Sequence, residues 1–269
     1  MPLSEKWKRG FIAFRARAPQ GAAKDTSPLD HPSFQRILTL ILLTELAFAA
    51  WVFLVSHSHT TEMAMAAGLR AAHFLTDWAV MMVAMMFPAA ALMILAFYKA
   101  RAVSADEAFG STWVFVTAYL LMWAVAGMAA YAGVLIAESA AIHTTLGPVV
   151  AAQFGAAILL IAGVYQFTPL KEKCLSECRT PIDMTTWHHD TAGSFRMGLL
   201  HGVYCLGCNW LLFAALFPLG MTVGAMAVIT LVILAEKTLP WPTSASYTAG
   251  IVLVLYGAVL IASPLLTMH

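Results

Sequence analysis

Four cysteines, arranged as Cys174-x3-Cys178 and Cys205-x2-Cys208, are the residues of this chain best equipped for chemistry. Thiols can act as soft metal ligands, as a redox pair or as small packing groups. If the segment around residues 197–218 is helical, His201, Cys205 and Cys208 stand at i, i+4 and i+7 and share one face. An imidazole and two thiols on one face, with a second thiol pair just before them, predict a transition-metal site of four thiolates or of three thiolates and an imidazole. Cys205 lies about 13 Å along such a helix from Arg196, shallow enough for the Cys174–Cys178 segment to fold back onto it. The spacing departs from that of a zinc ribbon, whose two tight Cys-x2-Cys turns sit in soluble hairpins.

A second set of candidates is spread over the acidic, histidine and methionine positions. Glu45, Asp77 and Glu236 fall within or at the ends of apolar runs, where a carboxylate facing lipid is costly. Glu45 is therefore expected to face the interior of a bundle. Glu236, next to Lys237, reads either as interfacial charge or as a helper that completes the cysteine site. His73, Asp77, Met81 and Met85 follow at four-residue steps, so one stripe offers imidazole, carboxylate and thioether groups. Methionine is also an excellent filler of irregular helix interfaces, which leaves packing as the other reading of the stripe. Pro88 removes a backbone donor and leaves a carbonyl for a neighbour or an ion to satisfy. His57 and His59, followed by Met63 and Met65, form a polar stretch that would suit a low-affinity copper-collecting loop. His188-His189-Asp190 reads as a solvated loop rather than a ligand set.

The elements that must position these groups follow from composition. Of 269 residues, 61% are hydrophobic and 11% charged, with a mean hydropathy of +0.78, which leaves too little polar surface for a soluble domain. Seven apolar runs, at about 37–55, 74–98, 113–137, 148–168, 197–218, 219–235 and 245–263, are long enough to cross about 30 Å of hydrocarbon as helices, which predicts about seven spans. An all-α, polytopic transmembrane bundle is the expected fold. With the N-terminus in the cytoplasm, 14 of the 15 basic residues fall inside and only Arg70 outside. The same count puts His269 outside and all four cysteines on the cytoplasmic side, where thiols stay reduced and a structural disulfide is disfavoured.

The chain divides into a basic cytoplasmic tail, 1–36, and one transmembrane domain, 37–269, with a cysteine-bearing cytoplasmic loop at 169–196. The tail carries Trp7, Phe11, Ile12 and Phe14 and reads as a topology anchor at anionic lipid, with no cleavable signal peptide. A net charge of +1 gives no support to nucleic acid as a partner. No internal repeat, serine–histidine–acid constellation or phosphate-cradling glycine loop is visible.

Three motifs carry a family resemblance. They are Trp78-Ala-Val-Met-Met-Val-Ala-Met-Met-Phe-Pro88, the stretch from Tyr165 through Pro169, Lys171, Cys174 and Cys178 to Pro181, and Gly198-x2-His201-Gly202-x-Tyr204-Cys205-x2-Cys208-x-Trp210. With Glu236-Lys237, they resemble the bacterial domain-of-unknown-function family 2182, a family of predicted metal-binding integral membrane proteins. The resemblance covers about residues 37–263. It implies Cys174, Cys178, Cys205 and Cys208 as metal ligands and Glu236 as their helper, and it leaves the metal open.

Taken together, these readings predict a bacterial inner-membrane protein that binds a transition metal, copper before zinc, for transport, homeostasis or delivery. Its partners would be the lipid bilayer and a membrane cuproenzyme or metallochaperone. The stripe through His73, Asp77 and Met81 would lead from the external loop toward Glu45 and the cysteines. Two rivals remain: a membrane thiol-disulfide oxidoreductase using the two cysteine pairs, and a non-catalytic subunit with a structural zinc clamp.

Overall fold

The computed structural model describes residues 32–57, 71–101, 105–144, 148–179 and 190–266. Among these residues there are eight helices and no strand: α1 (Pro32–His57), α2 (Ala71–Ala100), α3 (Ala105–Thr144), α4 (Pro148–Tyr165), α5 (Pro169–Arg179), α6 (Thr191–Leu216), α7 (Val223–Thr238) and α8 (Pro242–Leu266). Five of them, α1, α2, α3, α6 and α8, are long and apolar enough to cross a membrane. The pair α4 and α5 passes the same test only together, bent by 64° at the break between them. At 16 residues, or roughly 24 Å, α7 is short of about 30 Å of hydrocarbon.

The all-α expectation matches the architecture, but among the described residues five helices, or six spans with the bent pair, meet the length and apolarity of a crossing where seven were expected, and the cysteine segment also differs. The first cysteine pair lies on helix α5 and not in a loop, and α6 begins at Thr191, so that Arg196 is already helical. Asp190 explains the early start: its side chain accepts the Gly193 N–H at 2.8 Å and caps the helix. The tail up to residue 31, Arg70, His59, Met63, Met65, His188, His189 and His269 lie outside the described residues.

The bundle is built around α2 and α6. Methionines 81, 82, 85 and 86 of α2 and Cys205, Cys208 and Leu212 of α6 belong to one buried cluster with Phe97, Phe115, Tyr119 and Trp123. Large apolar side chains such as Phe48, Ile136, Phe154, Val228, Leu255 and Val259 point outward, as a lipid-facing surface requires. Close approach of α6 to α3 depends on Gly198-x3-Gly202. A Cβ at Gly198 would stand 2.3 Å from the Phe115 carbonyl oxygen, and one at Gly202 would stand 2.7 Å from Met122. Small residues one turn apart allow this contact in a bundle where lipid gives little hydrophobic incentive to pack.

Pro88 leaves the Ala84 carbonyl without its helical donor, and α1 supplies a replacement. The Trp51 indole donates to that oxygen at 3.0 Å. A second indole, Trp78 on α2, donates to the Trp123 carbonyl of α3 at 2.9 Å, so both faces of α2 are tied to neighbours. The turn after α6 closes through Met221 N–H to Leu216 O at 2.9 Å, with Gly220 at φ +72° and Met221 at φ +48°. Thr222 then caps α7 by accepting the Ala225 N–H. The stretch from Phe217 to Gly220 is therefore a tight turn that brings α7 back against α6, α2 and α8.

Candidate metal centre

Helical periodicity sets the first half of the site. His201, Cys205 and Cys208 lie on one buried face of α6, as their spacing requires. Helix α5 sets the second half. Its apolar positions Leu175 and Cys178 are buried against the bundle while Glu172 and Glu177 stay on its other side or edge, so the short amphipathic helix docks with Cys178 inward. Cys178 comes within hydrogen-bonding reach of both Cys205 and Cys208. Three thiols from two helices thus meet in one place.

Cys174 is seated against Gly207. It is one turn back on α5, half-buried, and its sulfur lies 2.9 Å from where a Cβ on Gly207 would stand. The glycine provides the room that seats it against α6.

Cys205 is the hub of the polar contacts. Lys237 Nζ donates to its sulfur at 2.9 Å, and the Tyr119 hydroxyl lies 3.1 Å from it. Asn209 Nδ2 donates to the Cys205 carbonyl at 2.9 Å and approaches the sulfur at 3.6 Å. The Met86 thioether is 4.0 Å away. A buried ammonium, a phenol and an amide are thus gathered around one sulfur.

Glu236 is held by two side chains from other helices. One carboxylate oxygen accepts from Lys171 Nζ at 2.8 Å and the other from Ser246 Oγ at 2.9 Å. The same Lys171 also donates to the Cys208 carbonyl at 2.6 Å. A carboxylate and an ammonium taken from water together need such a full set of partners, because a buried ion pair gains little once desolvation is counted. The Arg179 guanidinium donates to the Glu236 and Leu239 carbonyls at the end of α7, where unpaired backbone oxygens and the helix dipole favour a cation. Lys171, Glu236 and Arg179 thereby clamp α5, the carrier of Cys178, to α6 and α7.

His201 lacks any such support. It is buried between the rings of Phe115 and Tyr119, at centroid distances of 5.7 and 5.4 Å, and neither ring nitrogen has a hydrogen-bond partner. Buried polar atoms are normally satisfied, and this imidazole, one turn from Cys205, has both nitrogens orphaned. Asn209 Oδ1 is orphaned in the same region. No group of three or more His, Cys, Asp or Glu among the described residues is positioned to hold a metal ion as it stands. The donor types nonetheless suit a soft cation: thiols, a thioether and a neutral imidazole.

The remaining candidates divide by face. Glu45 does not face the bundle interior. Leu43, Ala47, Ala50 and Leu54 form the buried stripe of α1, which leaves Glu45 exposed on the opposite side. His57 and His73 are exposed, and Asp77 is half-buried. Met81 and Met85 are wholly buried. The methionine that touches the thiols is Met86, on the adjacent row, and not a member of the row that starts at His73.

Sequence reasoning assigned no site role to Lys237, Lys171, Tyr119 or Asn209, and it left Met86 between packing and metal contact. For Lys237 the signal was its place beside Glu236 in the Glu236-Lys237 pair, which carries part of the family resemblance. For Tyr119 and Asn209 no spacing rule applies, because the contacts join helices far apart in sequence.

One protein family matches the chain: PpoB2, described as a copper chaperone, over residues 75–260. That interval is more than two thirds of the chain and contains every residue of the site described above, so the chain belongs to this family. No curated protein and no solved structure matches it.

Proposed function

We propose that this member of the PpoB2 copper-chaperone family takes Cu(I) as its cargo at Cys178, Cys205 and Cys208, with His201 as an additional donor, and delivers it to a partner cuproenzyme or metallochaperone in the membrane. The observation that carries the reading is the meeting of three thiols from α5 and α6 beside an imidazole whose two nitrogens are orphaned. Thiolate and imidazole suit Cu(I), and small shifts of thiol rotamers would bring these groups onto an ion.

Charge supports the same ion. With two of the three thiols ionised and the third kept as a thiol, the Cu(I) site carries one negative charge, and Lys237 offers one positive charge at 2.9 Å from Cys205. Glu236 is already balanced by Lys171 and is left out of the ligand set. Zinc remains the second ion, since three thiolates and an imidazole can close a tetrahedral zinc site. The distribution of basic residues favours a bacterial inner membrane with the N-terminus inside, which would put the clamp of α5 near the cytoplasmic face.

The test is elemental analysis of protein purified anaerobically in mild detergent and loaded with Cu(I), compared with a variant in which all four cysteines are serine. Near-stoichiometric copper that is lost in the variant is the expected result. Equal metal content in both proteins would overturn the reading. Tightly held zinc in place of copper would turn it into a structural clamp.

A further inference from the structure

Beyond the thiol trio, α2 brings a second kind of sulfur to the same place. Met86 is fully buried, and its thioether lies 4.0 Å from the Cys205 sulfur. That separation has a meaning for a shared ion. With metal–sulfur bonds of about 2.3 Å, two sulfurs at trigonal angles on one ion stand about 4 Å apart. Met86 and Cys205 are thus spaced as two ligands of one ion before any ion is bound. A methionine present only to fill space would have no need to aim its sulfur at the one thiol that also receives Lys237, Tyr119 and Asn209.

The other side of the trio is closed. Lys171 bridges Glu236 and the Cys208 carbonyl, and Arg179 pins the end of α5, so the approach from that side passes through a buried ionic clamp. Along α2 the next sulfur is Met82, one turn or about 6 Å from Met86 toward Trp78, and buried as well.

We propose that Met86 is a direct thioether ligand of the cargo beside Cys205, and that Met82 is the preceding step, so that Cu(I) reaches the thiols along the methionine face of α2. This rests on the copper reading above. The transfer is a ligand exchange with no change of oxidation state: each new sulfur–copper bond replaces a preceding one.

The test uses the full-length protein labelled with selenomethionine and loaded anaerobically with one equivalent of Cu(I), supplied as its acetonitrile complex. X-ray absorption at the selenium and copper edges then reads copper–selenium contact directly. The expected result is a copper–selenium signal that disappears in Met86→Leu and survives in Met82→Leu and in Met93→Leu, a control on the same helix. Leucine conserves volume, and Met86→Gln serves if Met86→Leu loses its fold. In stopped-flow loading, Met82→Leu is expected to slow uptake about tenfold at unchanged final stoichiometry. Copper held by a shell without selenium, or a selenium signal that persists in both Met86 variants, would overturn the proposal and leave the copper reading intact. Failure of the wild type to hold Cu(I) at all would overturn both.

Discussion

Lys237 Nζ lies 2.9 Å from Cys205 Sγ, and both groups are buried. The contact joins the last turn of α7 to the middle of α6. A buried ammonium needs acceptors, and the Cys205 sulfur is the one Lys237 reaches.

Replacing that cation should weaken the site without dismantling it. Lys237→Met is expected to lower Cu(I) affinity by about 1.5–3 kcal/mol, roughly ten- to a hundredfold, the usual worth of a hydrogen bond to a charged group. Lys237→Arg should recover part of the loss. Competition against a chromophoric Cu(I) chelator reads both, and unchanged affinity in Lys237→Met would remove the lysine from the account.

The thiols should not be equivalent. Serine at Cys178, Cys205 or Cys208 is expected to abolish or sharply reduce bound copper, whereas Cys174→Ser should retain it, because Cys174 packs on Gly207 apart from the trio. Metal content of the four single variants checks this. Loss of copper in Cys174→Ser would restore a four-thiolate site.

Removing one member of the clamp leaves its partner buried and alone. Glu236→Gln or Lys171→Met should cost about 3–5 kcal/mol of stability, and the double variant less than the sum of the two. Thermal unfolding in detergent measures the cycle, and additive losses would argue against a direct pair.

Trp51→Phe should destabilise the bundle by about 1–2 kcal/mol, because the Ala84 carbonyl then has neither its helical donor nor the indole. Pro88→Ala in the same background returns a backbone N–H to that carbonyl. The double variant is expected to regain stability in a thermal scan, and no recovery would point to packing as the role of the indole.

Gly198→Ala puts a methyl group 2.3 Å from the Phe115 carbonyl, and the backbone of α3 would have to yield. A loss of about 1–3 kcal/mol is expected, with weaker copper retention as α6 shifts. Wild-type stability in this variant would mean that the helix contact is looser than described.

Much of this protein follows from one-dimensional rules. Composition demands helices in lipid, since only they satisfy their backbone internally over runs of this length. The i, i+4, i+7 spacing of His201, Cys205 and Cys208 needs nothing more than 3.6 residues per turn to share a face. The orphan carbonyl below Pro88 likewise follows from the missing N–H of proline. Local chemistry decides such features, and local chemistry is written in adjacent residues.

Tertiary structure decided which groups meet. The charge of Glu45 predicted an inward orientation, yet the buried stripe of Leu43, Ala47, Ala50 and Leu54 turned that carboxylate outward. Cys174 and Cys178 look alike in sequence, but docking of α5 brought only Cys178 into the trio. Lys237 and Met86 reached Cys205 through two different helix contacts, and Glu236 was drawn away by Lys171 and Ser246. The physical reason is common to all of these: periodicity defines the faces of a single helix, while the choice of which faces oppose one another depends on close packing, burial and ion pairing summed over the whole bundle.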